Sequence, residues 1–253
     1  MIKNISGLKI YYEVAGSGEP VLLLHGWAND VETLRPLMGM VKDLGFRVFA
    51  VDLPGFGLSD TPQSAWGVDD YVNFVGNFLD ELALDRVSIL GHSFGGRIVI
   101  KLAASNPLRA NKLILVDSAG IKPERSISSH ISASFTKLVR KVIPLLPDSI
   151  GKFLKDNLLS KMGSRDYRNA GKLRATFVKV VNEDLRQYLP CIKSPVLLVW
   201  GELDRETPVS DGRLMQELIP DAQLNVIRGA GHHCFLDNPD EFLKIIRPFL
   251  IEE

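Results

Sequence analysis

The chain of 253 residues is 45% hydrophobic and 24% charged, which is enough to bury one large α/β core or two small ones. Its 30 basic and 30 acidic residues cancel, so the composition excludes the strongly basic surface with which proteins hold nucleic acid or anionic membranes. The two cysteines, Cys191 and Cys234, lie far apart in the sequence without metal-site spacing, so we expect free thiols in a reducing compartment.

The first residues, 1–4, lead directly into a strand-like pattern and lack the long apolar stretch of a secretion signal. No segment reaches the roughly 20 apolar residues of a membrane-spanning helix. We therefore expect a cytoplasmic protein with no stable membrane insertion and no nucleic-acid partner.

Apolar runs in the sequence predict the strands of a sheet. Residues 5–14 alternate around Gly7, which predicts an antiparallel pair at a sheet edge, and residues 16–18 predict a turn. The later runs are continuously apolar, which is typical of strands buried on both faces of a parallel sheet. These predicted strands cover residues 21–24, 47–51, 87–90, 113–116, 196–200 and 224–227.

Helical patterns separate most of these strands. Apolar residues at helical spacing predict helices at residues 33–44, 68–82 and 96–104. A last helix is predicted to start at residues 238–241, where an asparagine cap precedes a proline and two acids. The alternation of strands and helices with short loops predicts a doubly wound, mostly parallel α/β sheet.

One segment breaks the alternation. Residues 121–190 contain amphipathic helical stretches, several prolines and glycines and many basic residues, but no buried-strand pattern. We interpret them as a helical cap inserted between residues 1–120 and 191–253, which together form the core.

A serine motif lies between a predicted strand and a predicted helix. Residues 91–95 read Gly-His-Ser-Phe-Gly, with Ser93 at the bend. A serine at so tight a bend needs strained backbone angles, and the glycine on each side removes a side chain that would collide. The nearby helix N-terminus favours a developing negative charge. The motif therefore predicts a nucleophilic Ser93.

Other reactive side chains follow the predicted strands. In open parallel sheets, ligands bind beyond the carboxyl ends of the strands. A nucleophile, a base and candidate acids meet at this edge: His25, Asp52, Ser93, Asp117, Asp204 and His232.

Over essentially its whole length, the chain resembles the α/β-hydrolase superfamily, in its lid-bearing serine esterase and lipase-like branch. The resemblance rests on motifs at residues 25–27, 52–57, 91–96, 201–204 and 229–232. It implies the α/β-hydrolase fold with an inserted helical cap, or lid. The order Ser93, Asp204, His232 is the nucleophile, acid and base order of that superfamily.

The resemblance also implies roles for these residues. His232 follows a glycine-x-glycine and is selected as the base over its neighbour His233. Asp204 is favoured as the acid, and Asp117 stays open as the alternative because it also ends a strand near the bend. The backbone N–H groups of Trp27 and Phe94 are expected to form the oxyanion hole.

Five residues are candidates for the substrate pocket: His25, Trp27, Phe94, Phe135 and Leu138. Two histidines also have structural interpretations, since His92 flanks the nucleophile and His25 is placed to order the oxyanion loop.

We expect a serine hydrolase that cleaves small carboxylic esters of short to medium acyl chain through an acyl-enzyme. The same triad would also serve a carbon–carbon bond hydrolase for vinylogous diketones, an enol-lactonase or a thioesterase. A non-catalytic small-molecule receptor is an alternative of another class. No cofactor or metal is expected, because Asp52, Asp204 and His232 lie on separate loops without ligand-type spacing. The sequence leaves the oligomeric state open.

Overall fold

The computed structural model describes residues 1–122 and 165–252, in which eight strands form one sheet. The strands are Ile2–Ile5 (β1), Leu8–Ala15 (β2), Pro20–Leu24 (β3), Arg47–Val51 (β4), Val87–His92 (β5), Ala110–Val116 (β6), Val196–Gly201 (β7) and Ala222–Ile227 (β8). Their order across the sheet is β1-β2-β4-β3-β5-β6-β7-β8. β2 is antiparallel to both β1 and β4, and the remaining neighbours pair in parallel. The predicted mostly parallel sheet is confirmed.

Helices cover both faces of the sheet. They are Val31–Asp43 (α1), Val68–Glu81 (α2), Phe94–Ser105 (α3), Arg165–Asn169 (α4), Arg174–Asn182 (α5), Val209–Leu218 (α6), Cys234–Asp237 (α7) and Pro239–Ile251 (α8). Alternate residues of β3 belong to different cores: Leu22 and Leu24 pack with α2, α3 and α6, whereas Val21 and Leu23 pack with α1 and α8. Burial on both faces explains why the parallel strands are continuously apolar.

Two helix starts show how the sequence sets the element boundaries. α8 begins as predicted, because the side chain of Asn238 accepts from the Glu241 amide at 3.3 Å and Pro239 takes the first helical position. α1 begins earlier than predicted, at Val31. Its first amide donates to the carboxylate of Asp52 at 2.7 Å, a contact made possible only by the end of β4.

The helix α6 was not predicted. Its sequence contains Gly212, which reads locally as a helix breaker, and only Gly212 and Met215 are buried in it. A Cβ at Gly212 would lie 3.0 Å from the ring of Trp200. The glycine therefore serves the close packing of α6 on β7, which only the folded structure reveals.

The predicted cap is described in part. Residues 165–191 form α4, α5 and short 3₁₀ turns, without a strand. This segment is tied to the core, since the Leu185 amide donates to the Gly120 carbonyl at 2.9 Å and Lys101 pairs with both Asp69 and Glu183. Residues 123–164 lie outside the description, so the domain boundaries stay predictions. Within the described ranges, each helix is too short or too polar to cross a bilayer.

Candidate active site

The bend between β5 and α3 holds Ser93 in a strained backbone conformation. Ser93 has φ 50° and ψ −109°, a combination that residues with side chains rarely adopt. Its amide donates to the Val116 carbonyl at 3.0 Å, and its carbonyl accepts from the amides of Gly96 and Ala119, each at 3.0 Å. The surrounding backbone therefore holds the strain in place.

Glycines flank this bend because side chains would collide there. A Cβ on Gly95 would lie 2.3 Å from the carbonyl oxygen of Leu24. A Cβ on Gly91 would lie 2.7 Å from the backbone of Gly95. The expectation that the two glycines permit a close approach of strand and helix is confirmed.

His232, in the loop between β8 and α7, lies between Ser93 and Asp204. Its Nε2 is 2.9 Å from Ser93 Oγ, and its Nδ1 is 2.8 Å from Asp204 Oδ2. An ionised carboxylate only accepts, so Nδ1 carries the proton shared with Asp204 and Nε2 accepts from the Ser93 hydroxyl. The Asp204 side chain is fully buried and that of His232 is 11% exposed, so little water reaches these bonds. The structure thus connects all three predicted residues.

Three further donors hold Asp204 in place, and sequence reasoning missed them. Its Oδ1 accepts from the amides of Glu206 at 2.8 Å and Thr207 at 3.1 Å, and its Oδ2 lies 2.7 Å from Thr207 Oγ1. Burial by itself would raise the pKa of Asp204, but the hydrogen bonds from His232 and Thr207 outweigh it and lower that pKa. The only available sequence signal was the position of the two residues, two and three places after the acid.

The imidazole of His232 is influenced by opposing effects. Burial lowers its pKa, whereas the hydrogen bond and charge of Asp204, followed by the charges of Glu206 and Asp117, raise it more strongly. The net pKa lies above the usual histidine value. The surroundings therefore favour the protonated imidazolium that a base forms when it takes a proton.

The alternative acid, Asp117, has different partners. Its Oδ1 accepts from the Gly201 amide at 2.7 Å and its Oδ2 from the Cys234 amide at 3.1 Å. Burial raises the pKa of Asp117 to about 6. Asp117 thus joins the end of β7 to the start of α7, while Asp204 is the aspartate hydrogen-bonded to His232.

The alternative base, His233, also faces elsewhere. Its Nε2 lies 3.1 Å from the side-chain nitrogen Nδ2 of Asn29, in the loop after β3. His92 stands beside both histidines, and its Nε2–H donates to the carbonyl of His232 at 2.7 Å. Burial lowers the pKa values of His92 and His233, so both rings are neutral near pH 7. His92 therefore positions the His232 loop, in agreement with its structural interpretation.

The placement of His25 in the pocket needs correction. The ring is fully buried, Nε2 accepts from the Leu53 amide at 2.9 Å, and Nδ1 lies 2.7 Å from the Gly26 carbonyl oxygen. Because backbone groups occupy both nitrogens, His25 has no polar atom left for a substrate. It orders the loop after β3, the other role considered for it.

Two backbone amides at the site are available for an external acceptor. In the described parts of the chain, the N–H groups of Trp27 and Phe94 donate no hydrogen bond to the protein. Phe94 opens α3, so its amide is one of the unpaired donors of a helix N-terminus. That these two amides form an oxyanion hole stays a prediction.

Aromatic rings form an apolar wall beside these amides. The Trp27 ring contacts those of Phe56, Phe94 and Phe177 edge-on, with centroids 4.9, 5.5 and 5.0 Å away. Phe177 comes from α5 in the predicted cap, so cap and core share this wall. The other predicted pocket residues, Phe135 and Leu138, lie outside the described residues.

The geometry agrees with comparisons to known proteins. The sequence model of the alpha/beta hydrolase family matches residues 21–245, from β3 into the last helix. The chain belongs to the alpha/beta hydrolase family. Its fold, expected from the sequence motifs, is that of this family. Among the described residues of this hydrolase, no group of three or more His, Cys, Asp or Glu side chains could hold a metal ion.

Several relatives cover nearly the whole chain. A 2-hydroxy-6-oxononadienedioate/2-hydroxy-6-oxononatrienedioate hydrolase of Cupriavidus pinatubonensis is 29% identical over 96% of this hydrolase and 90% of its own length. An esterase from Exiguobacterium antarcticum is 26% identical, with a TM-score of 0.76 over 98% of both chains. The enol-lactonase of Burkholderia xenovorans shares the fold, at 21% identity and a TM-score of 0.76 over 100% of both chains.

Proposed function

We propose that this hydrolase is a serine carboxylesterase that cleaves esters of short to medium acyl chain. Ser93 is its nucleophile, His232 its base and Asp204 its acid. The observation that carries the proposal is the unbroken relay from Asp204 through His232 to Ser93, with contacts of 2.8 and 2.9 Å. A serine hydroxyl is a weak nucleophile until a neighbouring base removes its proton, and this geometry supplies the base.

Acylation begins when Ser93 Oγ attacks the ester carbonyl carbon and His232 Nε2 takes the hydroxyl proton. The carbonyl π electrons move to oxygen, and the amides of Trp27 and Phe94 donate to the resulting oxyanion. One such donor contributes about 3 kcal/mol to transition-state stabilisation. Asp204 stabilises the imidazolium and holds the ring in the required tautomer.

The tetrahedral intermediate then breaks its carbon–oxygen bond to the leaving group. The proton on His232 Nε2 passes to the leaving oxygen, so the product departs as an alcohol and the acyl group stays on Ser93. A water molecule next gives a proton to His232 and attacks the acyl carbon. Collapse releases the carboxylic acid and returns the proton to Ser93.

The proposed lid spans residues 121–190. Its described part supports this role, because Phe177 of α5 packs on Trp27 of the proposed oxyanion loop. The preference for short to medium acyl chains follows from the short His-Gly-Trp form of that loop. The 26% identical esterase from Exiguobacterium antarcticum supports ester cleavage. The cytoplasmic location and the absence of a nucleic-acid partner stay predictions from the sequence.

Carbon–carbon bond cleavage of a vinylogous diketone is the second candidate. The 29% identical hydrolase from Cupriavidus pinatubonensis favours it. The relay residues and the paired amides would be the same, and the leaving group would be a carbon acid instead of an alcohol. An enol-lactonase or a thioesterase would also use this relay.

One experiment separates these functions. The wild type and Ser93→Ala are assayed with p-nitrophenyl esters from acetate to octanoate, alongside vinylogous diketones, enol-lactones and thioesters. We expect ester cleavage with the highest kcat/KM, and a loss of at least about 10³-fold in Ser93→Ala. If Ser93→Ala keeps most of the activity, the mechanism is wrong. A non-catalytic receptor would also leave a fluorophosphonate probe unreacted.

A further inference from the structure

The loop after β7, which carries Asp204, places a second carboxylate at the proposed site. Glu206 lies two residues after Asp204, and its amide donates to Asp204 Oδ1 at 2.8 Å, which fixes its backbone. Its Oε2 lies 3.4 Å from His232 Nε2, the same nitrogen that faces Ser93 Oγ at 2.9 Å. The Glu206 side chain is 66% exposed, so its charge lies on the open side of His232.

No cation balances this charge within residues 1–122 and 165–252. Glu206 can form an ion pair there with His232 only when the imidazole is protonated, and neither Lys nor Arg comes within 4.0 Å of its carboxylate. The other groups that act on His232 are the carboxylates of Asp204 and Asp117 and the neutral rings of His92 and His233. Among the described residues, the charged groups that act on His232 are therefore carboxylates.

We propose that Glu206 makes this hydrolase discriminate against substrates with an anionic leaving group and prefer neutral or cationic ones. The inference rests on the proposed function, because His232 Nε2 must then reach the leaving oxygen to protonate it. Substituents on that oxygen pass close to the Glu206 carboxylate. A negative substituent meets a like charge there, and a positive one meets an opposite charge.

This inference bears on the second candidate function. The hydrolase of Cupriavidus pinatubonensis is named for a dioate, a compound with two carboxylates. A glutamate beside the proton-transferring nitrogen opposes a carboxylate near the leaving group. The discrimination also favours ester cleavage over the second candidate function.

The test uses three acetate esters whose leaving groups differ mainly in charge: 3-acetoxybenzoate, 3-acetoxybenzamide and 3-acetoxy-N,N,N-trimethylanilinium. We measure kcat/KM for each in wild type and Glu206→Gln at low ionic strength. Glu217→Gln is the matched control, because it removes the same charge from an exposed glutamate of α6. Dividing kcat/KM for each charged ester by kcat/KM for the neutral amide ester cancels any effect that changes all three values equally.

We expect the cation-to-anion ratio of kcat/KM to fall about tenfold in Glu206→Gln and to stay at the wild-type value in Glu217→Gln. Added salt should shrink the wild-type ratio and leave that of Glu206→Gln nearly constant, because ions screen exposed charges. An unchanged ratio in Glu206→Gln, with all esters cleaved, would overturn the inference and leave the proposed function intact. If no ester is cleaved and Ser93 stays unlabelled by a fluorophosphonate, the proposed function fails, and the inference with it.

Discussion

Two buried aspartates end neighbouring strands of this hydrolase, and their surroundings affect them in opposite ways. Asp204 follows β7 and accepts from the His232 imidazole and from Thr207, which lowers its pKa. Asp117 directly follows β6 and accepts from the backbone amides of Gly201 and Cys234, and burial raises its pKa to about 6. A position at the carboxyl edge of the sheet is therefore not enough to make an aspartate the acid of the proposed triad. The groups that donate to each carboxylate distinguish Asp204, which is bonded to His232, from Asp117, which joins two backbone segments.

Replacing each aspartate in turn with asparagine, which removes its charge, should produce the largest difference in activity. Asp204→Asn should lower kcat for p-nitrophenyl acetate by on the order of 10⁴-fold, because the amide leaves His232 in the wrong tautomer. Asp117→Asn should lower it by only about tenfold, through the loops that it joins. Circular dichroism checks that both variants fold. Equal losses in the two variants would contradict the assignment.

The next effect concerns stability. In Asp117→Asn the carboxamide offers one oxygen where two backbone amides need acceptors, so one buried amide loses its partner. We expect this variant to lower the free energy of unfolding by about 1–3 kcal/mol at pH 8, where the Asp117 carboxylate is ionised and both its oxygens accept, measured by urea titration. Asp52→Asn is the matched comparison, since Asp52 also accepts two backbone amides, those of Val31 and Leu58. If Asp117→Asn is as stable as wild type, the hydrogen bonds of Asp117 to Gly201 and Cys234 do not stabilise the fold.

The pH dependence of stability should differ in sign between the two aspartates. A raised folded-state pKa means that folded Asp117 binds a proton more readily than the unfolded chain. Its contribution to stability therefore falls as pH rises from about 4 to about 6. The lowered pKa of Asp204 gives a contribution that is present at neutral pH and is lost as pH falls below about 4. Urea unfolding of wild type and each Asn variant between pH 3 and 7 gives both trends, and trends of the same sign would refute the contrast.

Removal of the Thr207 hydroxyl, which lies between the two aspartates, should have a smaller effect on activity. Thr207 Oγ1 lies 2.7 Å from Asp204 Oδ2 and 2.9 Å from the Asp117 carbonyl oxygen. Thr207→Val keeps the shape and removes the hydroxyl, so we expect kcat to fall about tenfold while KM changes little. Thr207→Ser, which retains the hydroxyl, should restore most of the loss. Failure of the serine variant to recover activity would assign the effect to packing.

The smallest effect concerns the acid limb of the pH–rate profile. In the proposed mechanism His232 can act as a base only when neutral, and the charge of Glu206 raises its pKa. In Glu206→Gln that pKa falls, so activity should persist to lower pH than in wild type. The measurement is kcat/KM for a neutral ester against pH, with Glu217→Gln as control. If the acid limb of Glu206→Gln moves toward higher pH, Glu206 does not raise the pKa of His232.

Local signals made much of the fold and site predictable. Continuous apolar runs marked the parallel strands, because those strands are buried on both faces. The two glycines around Ser93 marked the bend, because Cβ atoms would collide with Leu24 and Gly95 there. In both cases the physical cause acts over a few neighbouring residues, so the sequence alone carries it.

Contacts between distant residues were not predictable in this way. The glycine at position 212 permits the packing of α6 on Trp200, which the sequence around it does not reveal. His25 lies beneath its loop because the end of β4 supplies the Leu53 amide. The contact of Glu206 with His232 depends on how two loops fold over the same sheet edge. Such features come from tertiary structure.

The rate of fluorophosphonate labelling is the sharpest test of the proposed contact chain from Asp204 through His232 to Ser93, because it reports an activated serine without depending on the natural substrate. Intact-mass spectrometry follows adduct formation over time in wild type, Asp204→Asn and Asp117→Asn, and peptide mapping locates the adduct. We expect a single adduct on Ser93 that forms at least about 100-fold more slowly in Asp204→Asn and within about tenfold of wild type in Asp117→Asn. An adduct on another residue, or equal labelling of Asp204→Asn and wild type, would contradict the proposed contact chain.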